Sequence, residues 1–129
     1  MTLKCLIVED SPFMLEIYRY SLVNHPTIEI IAEARDGETA SKLIAEIKPD
    51  LLILDLILPL KNGIEVLNEM AMLSPHTKTI VISSLEDEAT ILKAKALGAI
   101  QYLTKPFTKL QLLNAIDEIS KEYAEVNNG

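Results

Sequence analysis

Short unbroken apolar runs alternate with longer amphipathic stretches along the chain, and the two kinds of segment follow each other five times. The runs fall at Lys4 to Val8, Ile28 to Ala34, Leu51 to Leu54, Thr79 to Ser83 and Ala99 to Thr104. Most are rich in Ile, Val and Leu and too short for a buried helix, which predicts strands covered on both faces. The stretches between them read as helices. Ser11 can cap one, with Pro12 at its first position. Asp36 can cap a second, whose apolar residues Ala40, Leu43, Ile44 and Ile47 fall at i, i+3, i+4 and i+7, and Pro49 closes it. Gly63 to Leu73 gathers Ile64, Leu67, Met70 and Ala71 on one side. Glu86 to Leu97 is acidic in its first turn and stops at Gly98. A last helix is expected from about Thr108 to Tyr123, with "EVNNG" as a frayed tail.

Strand and helix in strict alternation predict an α/β fold. With right-handed crossovers the chain becomes a doubly wound, five-stranded parallel sheet, (βα)5, with helices on both faces. Composition adds bounds. A chain of 129 residues with 49% hydrophobic content buries one core. No repeat, low-complexity segment or linker divides it, so one domain is expected over residues 1–124, followed by a tail at 125–129. A net charge of −7, from 12 basic and 19 acidic residues, argues against direct nucleic-acid binding and against an anionic membrane surface. No apolar stretch approaches the ~18 residues of a membrane span, and no apolar leader follows a basic start, so a cytoplasmic setting is expected. The one cysteine, Cys5, lies inside "LKCLIV" and reads as a buried, inert thiol.

In open α/β sheets ligands gather at the carboxyl ends of the strands, near the point where strand order reverses. Glu9 and Asp10 stand at such an end, in "CLIVEDSP"; Asp55 follows "LLIL", Ser83 follows "TIVI" and Lys105 follows "QYLT". One carboxylate at a strand end is ordinarily a turn former or a helix cap. Capping does not account for three carboxylates, a hydroxyl and an ammonium on one rim. Crowded carboxylates repel and call for a hard, oxygen-preferring cation such as Mg²⁺, with Asp10 and Asp55 as the expected direct ligands. Lys105 and Ser83 suit the oxygens of a phosphoryl group beside it. Asp55, alone in the central loop, is the best candidate for a nucleophile that forms an aspartyl phosphate.

These segments together, "VEDSP", "LLILDLILPLKNG", "VISS" and "ALGAIQYLTKPF", resemble the receiver domain of two-component response regulators in its single-domain, chemotaxis-type (CheY-like) layout. The resemblance covers nearly the whole chain and implies the flavodoxin-like strand order 2-1-3-4-5. It implies Asp55 as the phosphorylated residue, Asp10, Asp55 and the Ile57 carbonyl as Mg²⁺ ligands, and Glu9 as an acid acting through the metal's waters. Lys105 is implied as the phosphoryl partner, with a cis peptide between Lys105 and Pro106. Ser83 and Tyr102 are implied as the switch pair, which changes the surface of the fourth helix, fifth strand and fifth helix. Implied partners are a sensor histidine kinase or phosphotransfer protein and a downstream effector on that surface; a homodimer formed on phosphorylation is also compatible with it. Catalysis is expected on the chain's own phosphorylation and dephosphorylation only.

The pattern has departures. Leu58 stands where methionine is frequent, a change of similar volume. Ile57 and Leu85 occupy positions that flank the path of the attacking water in the family, and neither can orient it, so slow loss of the phosphoryl group is expected. A flavodoxin-like cofactor binder would want Ser, Thr and Gly donors where Glu9 and Asp10 stand. A Mg²⁺-dependent phosphohydrolase with an aspartyl nucleophile would want a second acid where Ile57 stands. The chain could equally be the receiver portion of a larger regulator with a DNA-binding or enzymatic output domain. His25 and His76, in turns beside Pro26 and Pro75, are given no metal or catalytic role. Met70 and Met72 are expected to pack.

Overall fold

The computed structural model describes residues 2–128, and the side chains of residues 2–125. Strands and helices alternate as β1 (Leu3–Val8), α1 (Pro12–Leu22), β2 (Ile28–Ala34), α2 (Gly37–Ile47), β3 (Leu51–Leu54), α3 (Gly63–Leu73), β4 (Lys78–Ser83), α4 (Glu88–Ala96), β5 (Ala99–Thr104) and α5 (Lys109–Asn128). Among the described residues all strand pairs are parallel and the order is β2-β1-β3-β4-β5. This is the doubly wound arrangement that the alternation predicts.

Period two along the strands divides the apolar residues between two cores. Cys5, Ile7, Ile53, Ile80 and Ile82 face α1 and α5, where they meet Leu15, Tyr18, Leu112 and Ile116. Leu6, Val8, Leu52, Leu54 and Val81 face the opposite layer, against Ile44, Val66, Leu67 and Ala94. Each Leu or Ile buried in this way contributes about 1.5–3 kcal/mol. Cys5 is fully buried, and burial pushes its thiol far above the usual range. No described helix is long and apolar enough to cross a membrane.

Helix starts follow their caps. Ser11, Asp36, Asn62 and Asp87 each accept a hydrogen bond from the backbone N–H three residues on. The fourth helix therefore begins at Glu88, two residues later than the acidic run suggests, because Asp87 takes the capping place. Lys48, at φ 48°, ends α2 before Pro49 is reached. The last helix continues to Asn128, past Tyr123 and through most of the segment expected to fray; residue 129 lies outside the described residues.

Candidate functional site

Parallel strands that end at one level place the residues that follow them side by side. Val8 pairs with Leu54, so Glu9 and Asp55 leave β1 and β3 together, and the Asp55 N–H donates to the Val8 carbonyl at 3.0 Å. Ser83 pairs with Thr104, and the Lys105 N–H donates to the Ser83 carbonyl at 2.9 Å. Lys105 then reaches across the rim. Its Nζ donates to Glu9 Oε1 at 2.6 Å and to Asp55 Oδ2 at 2.9 Å. The free oxygen of each acid takes a backbone donor: Glu9 Oε2 accepts from Ser11 N–H at 3.2 Å, and Asp55 Oδ1 from Ile57 N–H at 3.1 Å.

Glu9 is 1% exposed and Asp55 6%, whereas Asp10 is open to solvent. Carboxylate oxygens of all three acids lie within 4.8 Å of one another. Burial raises the Glu9 carboxyl above its ordinary range; the Lys105 hydrogen bond works against this, and the Asp55 charge adds to it. Burial also disfavours the Lys105 ammonium, but its bonds to Glu9 and Asp55 outweigh that and raise it. One ammonium thus faces three carboxylates. The deficit of positive charge and the all-oxygen donor set fit a hard divalent cation.

The hydroxyl side of the rim is built separately. Ser83 is fully buried, and its Oγ accepts from the Leu85 N–H at 3.3 Å. The half-buried Tyr102 donates its hydroxyl to the carbonyl of the same Leu85 at 2.5 Å. Burial raises the phenol above its ordinary range. Ile57 and Leu85 are 51% and 37% exposed beside Asp55 and Ser83. The Lys105–Pro106 peptide is cis.

Other residues singled out in the sequence lie elsewhere. His25 Nδ1 accepts from the Thr27 N–H, and its Nε2 stands 3.7 Å from Asp117 on α5. Met70 is buried in the α3 packing, but Met72 is 85% exposed, because it falls on the outward side of that helix. Residues with a hand in the site were also missed. Arg35 Nη2 donates to the Asp10 carbonyl at 3.0 Å, and Gly37 packs on the backbone of Lys61. A lone arginine and a glycine after a strand give no signal of either contact.

A family model described as the response regulator receiver domain matches residues 5–117. The chemotaxis protein CheY of Thermotoga maritima is 31% identical over 92% of this chain and 98% of its own length. The probable C4-dicarboxylate response regulator DctR of Bacillus subtilis is 35% identical over 95% of this chain, but only 54% of DctR is covered. Among solved structures, the CheX–CheY–BeF3–Mg²⁺ complex of Borrelia burgdorferi superposes with a TM-score of 0.85 at 25% identity, covering 91% of this chain and 88% of that one.

Proposed function

The chain belongs to the response regulator receiver family, phospho-accepting signalling domains of two-component systems, and on that premise we propose that Asp55 is its phosphoryl acceptor. The observation that carries the proposal is the pairing of a buried Asp55 with Lys105 at 2.9 Å, beside two further carboxylates. A carboxylate oxygen of Asp55 attacks the phosphorus of the donor, the bond from phosphorus to the donor nitrogen or oxygen breaks, and the phosphoryl group becomes an acyl phosphate. Water later cleaves it and restores the carboxylate.

Asp10, Asp55 and the Ile57 carbonyl would hold Mg²⁺, with Glu9 acting through its waters. When bound, the ion neutralises charge on the phosphoryl oxygens. Lys105 exchanges its bond to Asp55 for one to a phosphoryl oxygen, which keeps a fixed positive charge where negative charge collects. Phosphorylation adds roughly −1.5 to −2 of charge and three acceptor oxygens. Ser83 can answer by leaving the Leu85 N–H for one of them, and Tyr102 shares Leu85 with it. Through that shared residue the signal reaches the face of α4, β5 and α5, where an effector reads it as a population shift.

Residues 1–124 act as the receiver unit, in the cytoplasm. The phosphoryl donor is a histidine kinase or phosphotransfer protein; exposed Phe13, at 70%, gives a protein donor apolar surface next to the Lys105 loop. A homodimer formed on phosphorylation belongs to the same reading. The chain's own catalysis is limited to gaining and losing this group. A second reading, the receiver portion of a larger regulator, is favoured by DctR, of which this chain matches about half.

Intact mass after incubation with acetyl phosphate, with and without Mg²⁺, tests the assignment. A Mg²⁺-dependent gain of one phosphoryl mass, absent in Asp55→Asn, is expected; no gain in folded protein would overturn it. The same samples, freed of donor, should lose the mass slowly, and faster in Ile57→Asn. Fast loss that Ile57→Asn leaves unchanged would reject the role given to the apolar residues at 57 and 85.

A further inference from the structure

The loop from Asp55 to Asn62 carries both the acceptor and the Ile57 carbonyl, and it is held at its far end. Lys61 Nζ donates to both carboxylate oxygens of Glu69, each at 3.0 Å, and to Ser41 Oγ at 3.1 Å. Ser41 Oγ in turn donates to Glu69 Oε1 at 2.6 Å. Ser41 lies on α2 and Glu69 on α3, so one ammonium ties the loop to two helices. The backbone is pinned at the same place. Gly37 N–H donates to the Pro59 carbonyl at 3.2 Å, and a Cβ on Gly37 would stand 1.8 Å from the Lys61 carbonyl oxygen.

Between these anchors Leu60 sits at φ 69° with 76% of its surface exposed. A leucine does not choose the left-handed region unaided, and persists there only when its surroundings over-determine it. No burial is gained at Leu60 to offset the strain. What the conformation does achieve is to turn the chain so that Lys61 meets Ser41 and Glu69 while Gly63 closes on the loop's start. The Gly63 N–H donates to the Leu56 carbonyl at 2.9 Å, and its Cα lies so near that a Cβ would stand 2.3 Å from the Asp55 carbonyl oxygen.

We infer that Ser41, Lys61 and Glu69 form a clamp whose task is positioning: it fixes the loop of residues 55–62 so that Asp55 and the Ile57 carbonyl are preset for a divalent cation. The inference rests on the metal reading above. An ion that demands near-ideal geometry gains from ligands held in place beforehand, and loss of the groups that orient ligands weakens metal sites by about 10- to 100-fold. The pair itself is part-exposed, at 22% and 37% for the two side chains, so it adds little to global stability. A clamp that served stability alone would be a poor one.

NMR of the wild type, Lys61→Met, Lys61→Arg and Glu69→Gln tests this through two readouts, Mg²⁺ affinity from amide shifts and hydrogen exchange of the Ile57 and Lys61 amides without metal. Lys61→Met and Glu69→Gln should each raise the Kd for Mg²⁺ about tenfold, the low end for loss of orienting groups. Their combination should cost no more than either one, since both break the same clamp. Lys61→Arg should recover most of the affinity. Without metal, exchange at Ile57 should quicken by about the same factor in Lys61→Met. Unchanged affinity and unchanged exchange in a folded variant would overturn the clamp. If the wild type shows no saturable Mg²⁺ shift, the metal reading fails; the exchange measurement then decides separately whether the clamp orders the loop.

Discussion

On one side of Asp55, α3 buries Gly63, Val66, Leu67 and Met70 against the sheet; on the other, among the described residues, α4 buries Ala94 alone. The strands beneath differ in the same sense. β3 is buried at every position, whereas β5 is buried only at Ala99 and half-exposed from Ile100 to Thr104. The loop leading to α3 is fixed by Lys61, Gly37 and Gly63; residues 84–87, leading to α4, are exposed, and Leu85 there is held by two single bonds to Ser83 and Tyr102. The two flanks divide the work. On the proposed reading the firm one holds Asp55 and its loop in place, and the loose one is the element that a few new hydrogen bonds on phosphorylation would move.

That division predicts unequal responses to equivalent truncations. Leu67→Ala empties a site with 1% exposure and should cost about 3 kcal/mol. Leu92→Ala on α4, where the side chain is 59% exposed, should stay within about 0.5 kcal/mol. Urea unfolding measures both, and near-equal costs would remove the distinction between the flanks. Glycines sharpen it. Gly37→Ala forces a Cβ onto the Lys61 backbone and should cost about 2–3 kcal/mol, with weakened Mg²⁺ binding as α2 moves off the loop. Gly98→Ala, between α4 and β5, meets no neighbour within 4 Å but must adopt φ 111°. About 1–2 kcal/mol of backbone strain is expected there, with Mg²⁺ affinity unchanged. A Gly98 variant that lost the metal would show the flanks to be coupled in the resting protein.

The firm flank was also the harder one to read from the sequence. Strand periodicity placed all five strands, because a buried parallel strand leaves an apolar run that little else produces. The rim followed from it, since Glu9, Asp55 and Lys105 each come directly after such a run and Ser83 ends one. The clamp left no comparable trace: Ser41, Lys61 and Glu69 are polar residues on ordinary helix faces and in a turn, and only the crossing of α2 and α3 brings them together. Leu60 conceals its left-handed backbone, a conformation that glycine or asparagine would have announced. Met72 was misplaced because an eleven-residue apolar helix offers more methionine and leucine than one buried stripe can take.

Acid should separate the flanks by the smallest margin. Glu69 is held below the usual carboxylate range first by the Ser41 hydrogen bond and then by Lys61. A carboxyl lowered in the folded chain binds fewer protons there than when unfolded, so stability falls as pH drops from the ordinary value of 4.5 through the folded one. The wild type should therefore melt slightly above Glu69→Gln at neutral pH, by less than about 1 kcal/mol for so exposed a pair, and lose that margin in acid. Asp87 is lowered too, by the Thr90 hydroxyl and then its N–H, but it caps only its own helix. Protonating Asp87 frays one turn of α4; protonating Glu69 releases a loop from two helices. The protection of the Ile57 amide, its exchange rate relative to the intrinsic rate at each pH, should then fall in acid more in the wild type than in Glu69→Gln, where the clamp is already broken. Equal loss of protection in both proteins would place the acid-sensitive contact outside the clamp.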